Sequence, residues 1–499
     1  MKSILTSSGI FLLIIFLFAC NENPASIEDD PDGTETENST VAGKVQCAGQ
    51  GIEGVVVSDG YNFTVTDASG NYSLSPGMIT THVYISSPSG YSVPVVNSVP
   101  KFYVRLSDAS DRKNINFELI KSDISDYKHF FIAIGDPQVR NEDEVQKLKP
   151  ILDYLKSDIG TNTMAPVHLM VTGDIVFDTP LMHDPSKACF STVGQPVYYA
   201  IGNHDHLQNK TQAASDSYDK KAANTYISHY GPTYYSFNRG QAHYIIFDNI
   251  FYRGGPNTDY SVKITQEQLN WIKKDLSYVS KDKVLILMSH SPTKSRVLSV
   301  YGNCAELHTL LAGYKDVHII TGHTHYNSVV VDNTGISEHI IGAACGGWWE
   351  GPVCPDGAYT GYKIFEIDGT TVKWKYKAWE KPEKQFTVFK PGPRSSYLRP
   401  AEELLVNVWD WDSTWTVSWS EDNGATFKPM FRYAAKTYDP TAVEYYGIDG
   451  DNVLPAGRTW IDAGPTDHIF TCVPSAGTTR VIIKTTTHFG KEFTETVDL

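Results

Sequence analysis

Aspartate, asparagine, glutamine and histidine recur in this chain at one kind of place, just after a short apolar run. HFFIAIGDPQ ends in Asp136 and Gln138, and VHLMVTGD ends in Asp174. PVYYAIGNHD ends in Asn203, His204 and Asp205. VLILMSH delivers His290, and VHIITGHTH delivers His323 and His325. Carboxylates, side-chain amides and imidazoles are the groups that hold divalent metal ions. One Asp or His at such a point is ordinarily a cap or a turn residue. The recurrence of the pattern points to a shared metal site instead.

The elements that must position these residues are legible. Each apolar run reads as a buried strand, and in α/β sheets ligands bind at the carboxyl ends of the strands. Between the runs lie helical patterns. NEDEVQKLKPILDYLKSDIG places Val145, Leu148, Leu152 and Leu155 on one face. ITQEQLNWIKKDLSYV opens with a capping box, Thr265 as cap and Gln268 as its reciprocal partner, before a stripe of Leu269, Ile272 and Leu276. Strands alternating with helices predict an α/β domain, here taken as residues 123–385.

The order GDPQ, GD, GNHD, SH, GHTH resembles the calcineurin-like metallophosphoesterase family, over roughly residues 127–380. The resemblance implies a four-layer αββα sandwich and a phosphoesterase with two divalent metal ions, Mn, Fe or Zn. It implies that Asp174 bridges the pair. The first ion would take Asp136, Gln138, Asp174 and His325. The second would take Asp174, Asn203, His290 and His323. His204 would bind no metal and would serve as general acid or electrostatic stabiliser, with Asp205 orienting its ring. Such a pair lowers the pKa of a bridging water and clamps the phosphoryl oxygens. The family usually has histidine where this chain has Gln138. Either its carbonyl oxygen ligates the first ion, or it contacts a water or the substrate and that ion is labile. Direct ligation would give three oxygen donors and one nitrogen, a set that favours Mn²⁺ or Fe²⁺ over Zn²⁺.

The chain has 499 residues, a length that predicts several domains, and a net charge of -15. That charge argues against non-specific nucleic-acid binding. It leaves an anionic substrate open, because bound metals invert the local sign. Residues 1–20 read as a signal peptide, with Lys2 before the apolar IFLLIIFLFA. The ending LFAC resembles a bacterial lipobox and makes Cys20 the expected lipid anchor. The implied location is the cell envelope, lipid-anchored at the outer membrane, with no other membrane contact. Residues 21–40 form an acidic, turn-rich stretch expected to be a disordered tether. Residues 41–122 read as an N-terminal β-sandwich resembling transthyretin-like or carboxypeptidase-regulatory modules, and residues 386–499 as a C-terminal β-domain. Hairpins are expected in WTVSWSEDNGATFKPMF, closed by Asn423-Gly424, and in TTRVIIKTTTHFGKEFTETV. The cysteines fit no zinc spacing, and Cys345 and Cys354 are near enough in sequence to pair or to stay free.

Substrate signals are thinner. Trp348 and Trp349, in a glycine-rich stretch after the last motif, either stack on a sugar or base or pack as a structural lid. Arg140 and Arg296 follow ligand motifs and either meet phosphate or are solvated. His206 and His183 read as surface or ligand-supporting histidines. The leading expectation is hydrolysis of a phosphodiester in a small-molecule, glycan or lipid substrate. The alternatives are a phosphomonoesterase or nucleotidase with the same site, and a non-catalytic glycan-binding lipoprotein.

Overall fold

Two β-sheets stacked face to face carry the centre of the molecule. The computed structural model describes residues 40–499 apart from 78–79, 332–333, 394–397, 434–436 and 453. The expected signal peptide, Cys20 and nearly all of the tether lie outside the described residues. Residues 39–499 form one compact unit. Among the described residues no helix is long and apolar enough to cross a membrane.

The first sheet runs Val197–Tyr199, Val167–Val171, Lys128–Ile134, Gly361–Asp368, Thr371–Ala378. Its first three strands are parallel, and the last two join antiparallel. The second runs Tyr235–Arg239, Ala242–Ile246, Val284–Met288, Asp316–Thr321, Ile336–Ile340, Ser328–Val331. Its four middle strands are parallel, and both edge strands are antiparallel.

Successive strand residues point to opposite faces, so each apolar run serves two layers. Phe131, Ala133 and Met170 of the first sheet share a core with Tyr244, Leu285, Leu287 and Ile319 of the second. Phe131 stacks on Phe365 at 4.3 Å and meets Tyr244 edge-on. The alternate residues Ile132, Ile134, Leu169 and Val171 face away. They bury Val145, Leu148, Leu152 and Leu155 of helix Glu142–Thr161, the predicted face. Helices Gln266–Asp275 and Cys304–Leu311 bring Leu269, Ile272, Leu307 and Leu311 into the core of the second sheet. The result is the αββα order expected.

Thr265 caps its helix as predicted, accepting from the Gln268 backbone N–H. Gln268 does not complete the box. Its Oε1 accepts from the Asp248 backbone N–H at 2.9 Å, because that buried strand end has a donor with a greater need.

On either side lie β-structures. The N-terminal one has a four-stranded sheet built on Val41–Cys47 and another built on His82–Ser86. It is docked on the second sheet's side: Trp271 Nε1 donates to Ser58 Oγ, and Val57, Val83 and Ile85 join the same core as Trp271. The C-terminal one packs two four-stranded sheets around Val406, Trp419, Phe470 and Ile483. Both expected hairpin pairings form there. Asn423 and Gly424 have φ of 62° and 89°, the left-handed pair that such a tight turn needs. Cys345 and Cys354 are free thiols, as are the other described cysteines.

Candidate metal centre

The five strand ends converge. Asp136 and Gln138 follow Lys128–Ile134, Asp174 follows Val167–Val171, and Asn203 follows Val197–Tyr199. His290 follows Val284–Met288, and His323 and His325 follow Asp316–Thr321. The site therefore straddles the carboxyl edges of both sheets, three strands from one and two from the other.

The glycine ahead of most of these residues has a steric cause. A Cβ on Gly202 would sit 2.2 Å from Asp174 Oδ1, and one on Gly322 would sit 2.2 Å from Asp136 Oδ2. Each glycine vacates the volume that a neighbouring strand's carboxylate fills. The residues themselves adopt left-handed backbone: Asp136 at φ 36°, Gln138 at 42°, Asp174 at 48°, His323 at 69° and His325 at 57°. That conformation costs a non-glycine residue about 1–2 kcal/mol. It turns each side chain inward from the end of its strand, and strain of this kind gathers at functional sites.

Asp174, His290 and His323 bring ligand atoms within 4.8 Å of one another. His290 Nδ1 lies 2.8 Å from the Thr172 carbonyl, which fixes one proton there and turns Nε2 to the cluster. Burial lowers the His290 pKa, but Asp174 outweighs that and raises it to about 9, so a bound cation would replace the proton on Nε2. That Nε2 is 3.2 Å from Asp174 Oδ2, 3.1 Å from Asn203 Oδ1 and 3.1 Å from His323 Nδ1. Ligand atoms converging at such spacing match the edges of a coordination shell with bonds of about 2.0–2.2 Å. The second ion's expected set is thus gathered in one place.

The first ion's expected set shows contacts in two pairs. His325 Nδ1 lies 3.2 Å from the Gly346 carbonyl, leaving Nε2 open, 3.7 Å from Asp136 Oδ1. Gln138 Nε2 donates to Asp174 Oδ2 at 2.6 Å. Gln138 Oε1 and His325 Nε2 are both buried without a hydrogen-bond partner. Orphaned buried acceptors are costly, and bound cations would give such atoms partners. The residues present fit a metal pair.

Electrostatics agree. Burial pushes the Asp136 carboxyl up against the opposing pull of His290, with nearby Asp174 adding to the rise. Burial alone would raise Asp174 too, but His290 and His204 hold it well below the usual range. Two buried carboxylates this close call for cations. Burial lowers His323 to about 3 and His325 to about 4, so both are neutral and ready as ligands at ordinary pH.

His204 differs from the expectation in its partner. Its Nδ1 is 2.7 Å from Asp178 Oδ1, and its ring lies on Phe177 at 4.0 Å. Burial lowers its pKa, but Asp174 and Asp178 outweigh that and the net shift is upward, toward the protonated form. Asp205 does not orient this ring. Its carboxylate accepts from the backbone N–H of Ile175, Val176 and Gly202 at 2.8–3.2 Å. It is a brace between two ligand loops, and those three donors leave it no reach toward the imidazole. Asp178 was missed because it lies four residues past Asp174 in an irregular loop, where sequence gives no periodicity to place it.

The remaining candidates separate. His206 is buried, its Nδ1 on the Gly202 carbonyl and its ring stacked on Tyr252 at 4.8 Å. His183 is buried away from the centre, beside Tyr230 and His229. Arg296 is spent on Asp467 and the Pro465 carbonyl. Arg140 lies over Phe177 at 4.5 Å, with Nε and Nη2 buried and without hydrogen-bond partners. Trp349 donates to the Pro137 carbonyl, and Trp348 stacks on His325 at 4.1 Å.

Such a fold and site define a hydrolase acting on phosphoric esters. Residues 131–327 match the calcineurin-like phosphoesterase family, residues 39–122 match the N-terminal part described for it, and residues 338–493 the C-terminal part. The chain belongs to that family, which works with a dimetal centre. It is 26% identical over 210 residues to mouse tartrate-resistant acid phosphatase type 5, covering 36% of this chain and 62% of that one. It is 27% identical over 166 residues to the human protein, covering 30% and 49%. The chain thus spans less than two thirds of either relative. Among solved structures, a yellow lupin purple acid phosphatase aligns over 69% of this chain and 68% of its own, at 12% identity and TM-score 0.38. A dimetal phosphatase from Danio rerio aligns over 50% and 96%, at 13% identity and TM-score 0.37.

Proposed function

We propose that this phosphoesterase acts outside the cytoplasm and prefers a phosphodiester. Asp136, Gln138, Asp174 and His325 would hold one ion, and Asp174, Asn203, His290 and His323 the other. The bound pair would supply an activated water and neutralise phosphoryl oxygens. His204 would give its proton to the leaving oxygen, held in place by Asp178 on Nδ1 and by Phe177 on its face. Asp205 keeps the loops of Asp174 and Asn203 in register. The oxygen-rich first set supports Mn²⁺ or Fe²⁺ over Zn²⁺.

The observation that carries the diester preference is the charge near His204. Arg296 is paired with Asp467 and Arg458 with Glu144 and Glu350, so most of this arginine charge is already neutralised; the nitrogens left without partners, Nε and Nη2 of Arg140 and Nη1 of Arg458, are buried. A diester brings one negative charge fewer than a monoester dianion and needs fewer cations. The second reading, a monoesterase, is favoured by the acid phosphatase names of the curated relatives. The apolar N-terminal run and the LFAC ending support export and a lipid anchor at Cys20. A small-molecule, glycan or lipid phosphate ester is then the substrate class.

The test is kcat/KM on a chromogenic diester and its monoester, using protein lacking residues 1–20 and loaded with Mn²⁺, with Asp174→Asn as blank. Faster diester turnover is the expected result. Faster monoester turnover would transfer the assignment to the second reading, and blank-level rates on both would remove the catalytic assignment.

A further inference from the structure

A wall of rings runs beside the metal-ligand cluster, and the chemistry above leaves it without a task. Trp348 lies on His325 at 4.1 Å. Trp460 meets Trp348 edge-on at 4.6 Å and runs nearly parallel to Phe177 at 6.3 Å. Phe177 in turn covers His204 at 4.0 Å. The rings therefore connect a ligand of the first ion to the proton donor.

Trp460 is the open member of this wall, with 47% of its surface exposed. It comes from the C-terminal part of the chain, and its loop is held firmly. Arg458, two residues earlier, binds Glu144 at 2.6 Å and Glu350 at 3.0 Å. The Trp460 ring nitrogen donates to the Gly457 carbonyl at 2.8 Å. The polar atom of the indole is thus used locally, and its exposed surface is apolar. Arg140 also rests on Phe177, with its Nε and Nη2 buried. A rigid, exposed indole in the ring wall beside the ligand cluster suits a ligand with a flat ring joined to a phosphate.

We propose that Trp460 is a specificity-determining residue: it stacks against a flat ring in the leaving group. The inference rests on the phosphoesterase reading above. Two ring types share this chemistry, a nucleobase and the apolar face of a pyranose.

The experiment compares wild type, Trp460→Ala and Trp460→Phe. The substrates are adenosine monophosphate, glucose phosphate and ringless glycerol phosphate, or their methyl diesters if diesters are turned over faster. Trp460→Ala should raise KM for a ring-bearing ester about 5- to 100-fold, the range of one lost stacking contact. Its kcat, its metal content and its KM for the glycerol ester should stay within about twofold of wild type, and Trp460→Phe should restore most of the KM. A KM effect on the nucleotide alone assigns a base, and one on the sugar ester alone assigns a pyranose. An equal rise on the ringless ester, or no rise on any, overturns the proposal. Calorimetric binding of adenosine and of methyl glucoside provides a readout apart from turnover. If neither binds wild type more tightly than Trp460→Ala, the stacking role fails even where the protein is active. If one does but no ester is hydrolysed, the catalytic reading fails and the stacking role stands.

Discussion

At the scale of the residue, the surroundings of His204 suit the proton-donor role proposed for it. Its ring is fixed on one edge by Asp178 and on one face by Phe177, so its free nitrogen has one direction. His204→Ala should keep both metals and slow turnover about 10²–10⁴-fold, the usual worth of a general acid. Asp178→Asn should be milder, about 10–100-fold, because the imidazole remains and only its orientation and charge support are lost. Metal analysis beside kcat separates these variants from ligand losses, and full activity in Asp178→Asn would disprove the orienting role. Gln138 gives a second residue-scale prediction. Gln138→His should keep activity and shift metal content toward Zn²⁺ when Zn²⁺ and Mn²⁺ compete, because imidazole replaces a harder oxygen donor. An unchanged metal profile would show that Gln138 Oε1 is not a ligand.

At the scale of the element, the strand ends interlock. The Cβ position of Gly322 lies against Asp136 Oδ2 and the Thr172 hydroxyl. Gly322→Ala should therefore displace a ligand carboxylate, cutting metal affinity while circular dichroism stays native. The strand Ile336–Ile340 carries a different device. Glu338, fully buried, accepts from the Thr293 backbone N–H and hydroxyl, both at 2.6 Å. Burial raises its pKa from 4.5 to about 7. The folded state therefore binds the Glu338 proton more tightly than the unfolded chain does. Its contribution to stability is fully present below pH 4.5 and is lost as pH rises through about 7. Melting temperatures of Glu338→Gln and wild type should draw apart in the variant's favour across that window. A constant difference from pH 4 to pH 8, roughly the span over which a raised carboxyl titrates, would contradict the assignment.

At the scale of the whole molecule, the C-terminal β-structure is tied to the segments that carry the candidate ligands. Asn327, two residues past His325, donates through its backbone to Asp356 and through its side chain to the Trp409 carbonyl. Lys363 of the first sheet makes a buried ion pair with Asp410 at 2.7 Å, both side chains at most 1% exposed. Asp410→Ala should lower stability by about 3–5 kcal/mol in denaturant titration, since it strands a buried ammonium. Replacing both partners with apolar residues of similar volume should recover much of that loss. A loss no greater than about 1 kcal/mol in the single variant would mean that the pair is solvated, like a surface bridge.

The sequence by itself determined the strands, the helical faces and which polar residues stand at the strand ends as candidate ligands. Short continuous apolar runs, helical stripes such as Val145–Leu155 and the order GDPQ, GD, GNHD, SH, GHTH are local patterns with local causes. The two hairpins were legible for the same reason. Only the tertiary structure decided which partner each polar group takes. Gln268 leaves its own helix cap for Asp248, Asp205 braces backbone while Asp178 holds His204, and Trp460 reaches the site from a loop more than a hundred residues past the last ligand. Those choices depend on distances across loops and between layers, fixed by how the sheets stack and by which buried donors remain unsatisfied. No sequence period records them.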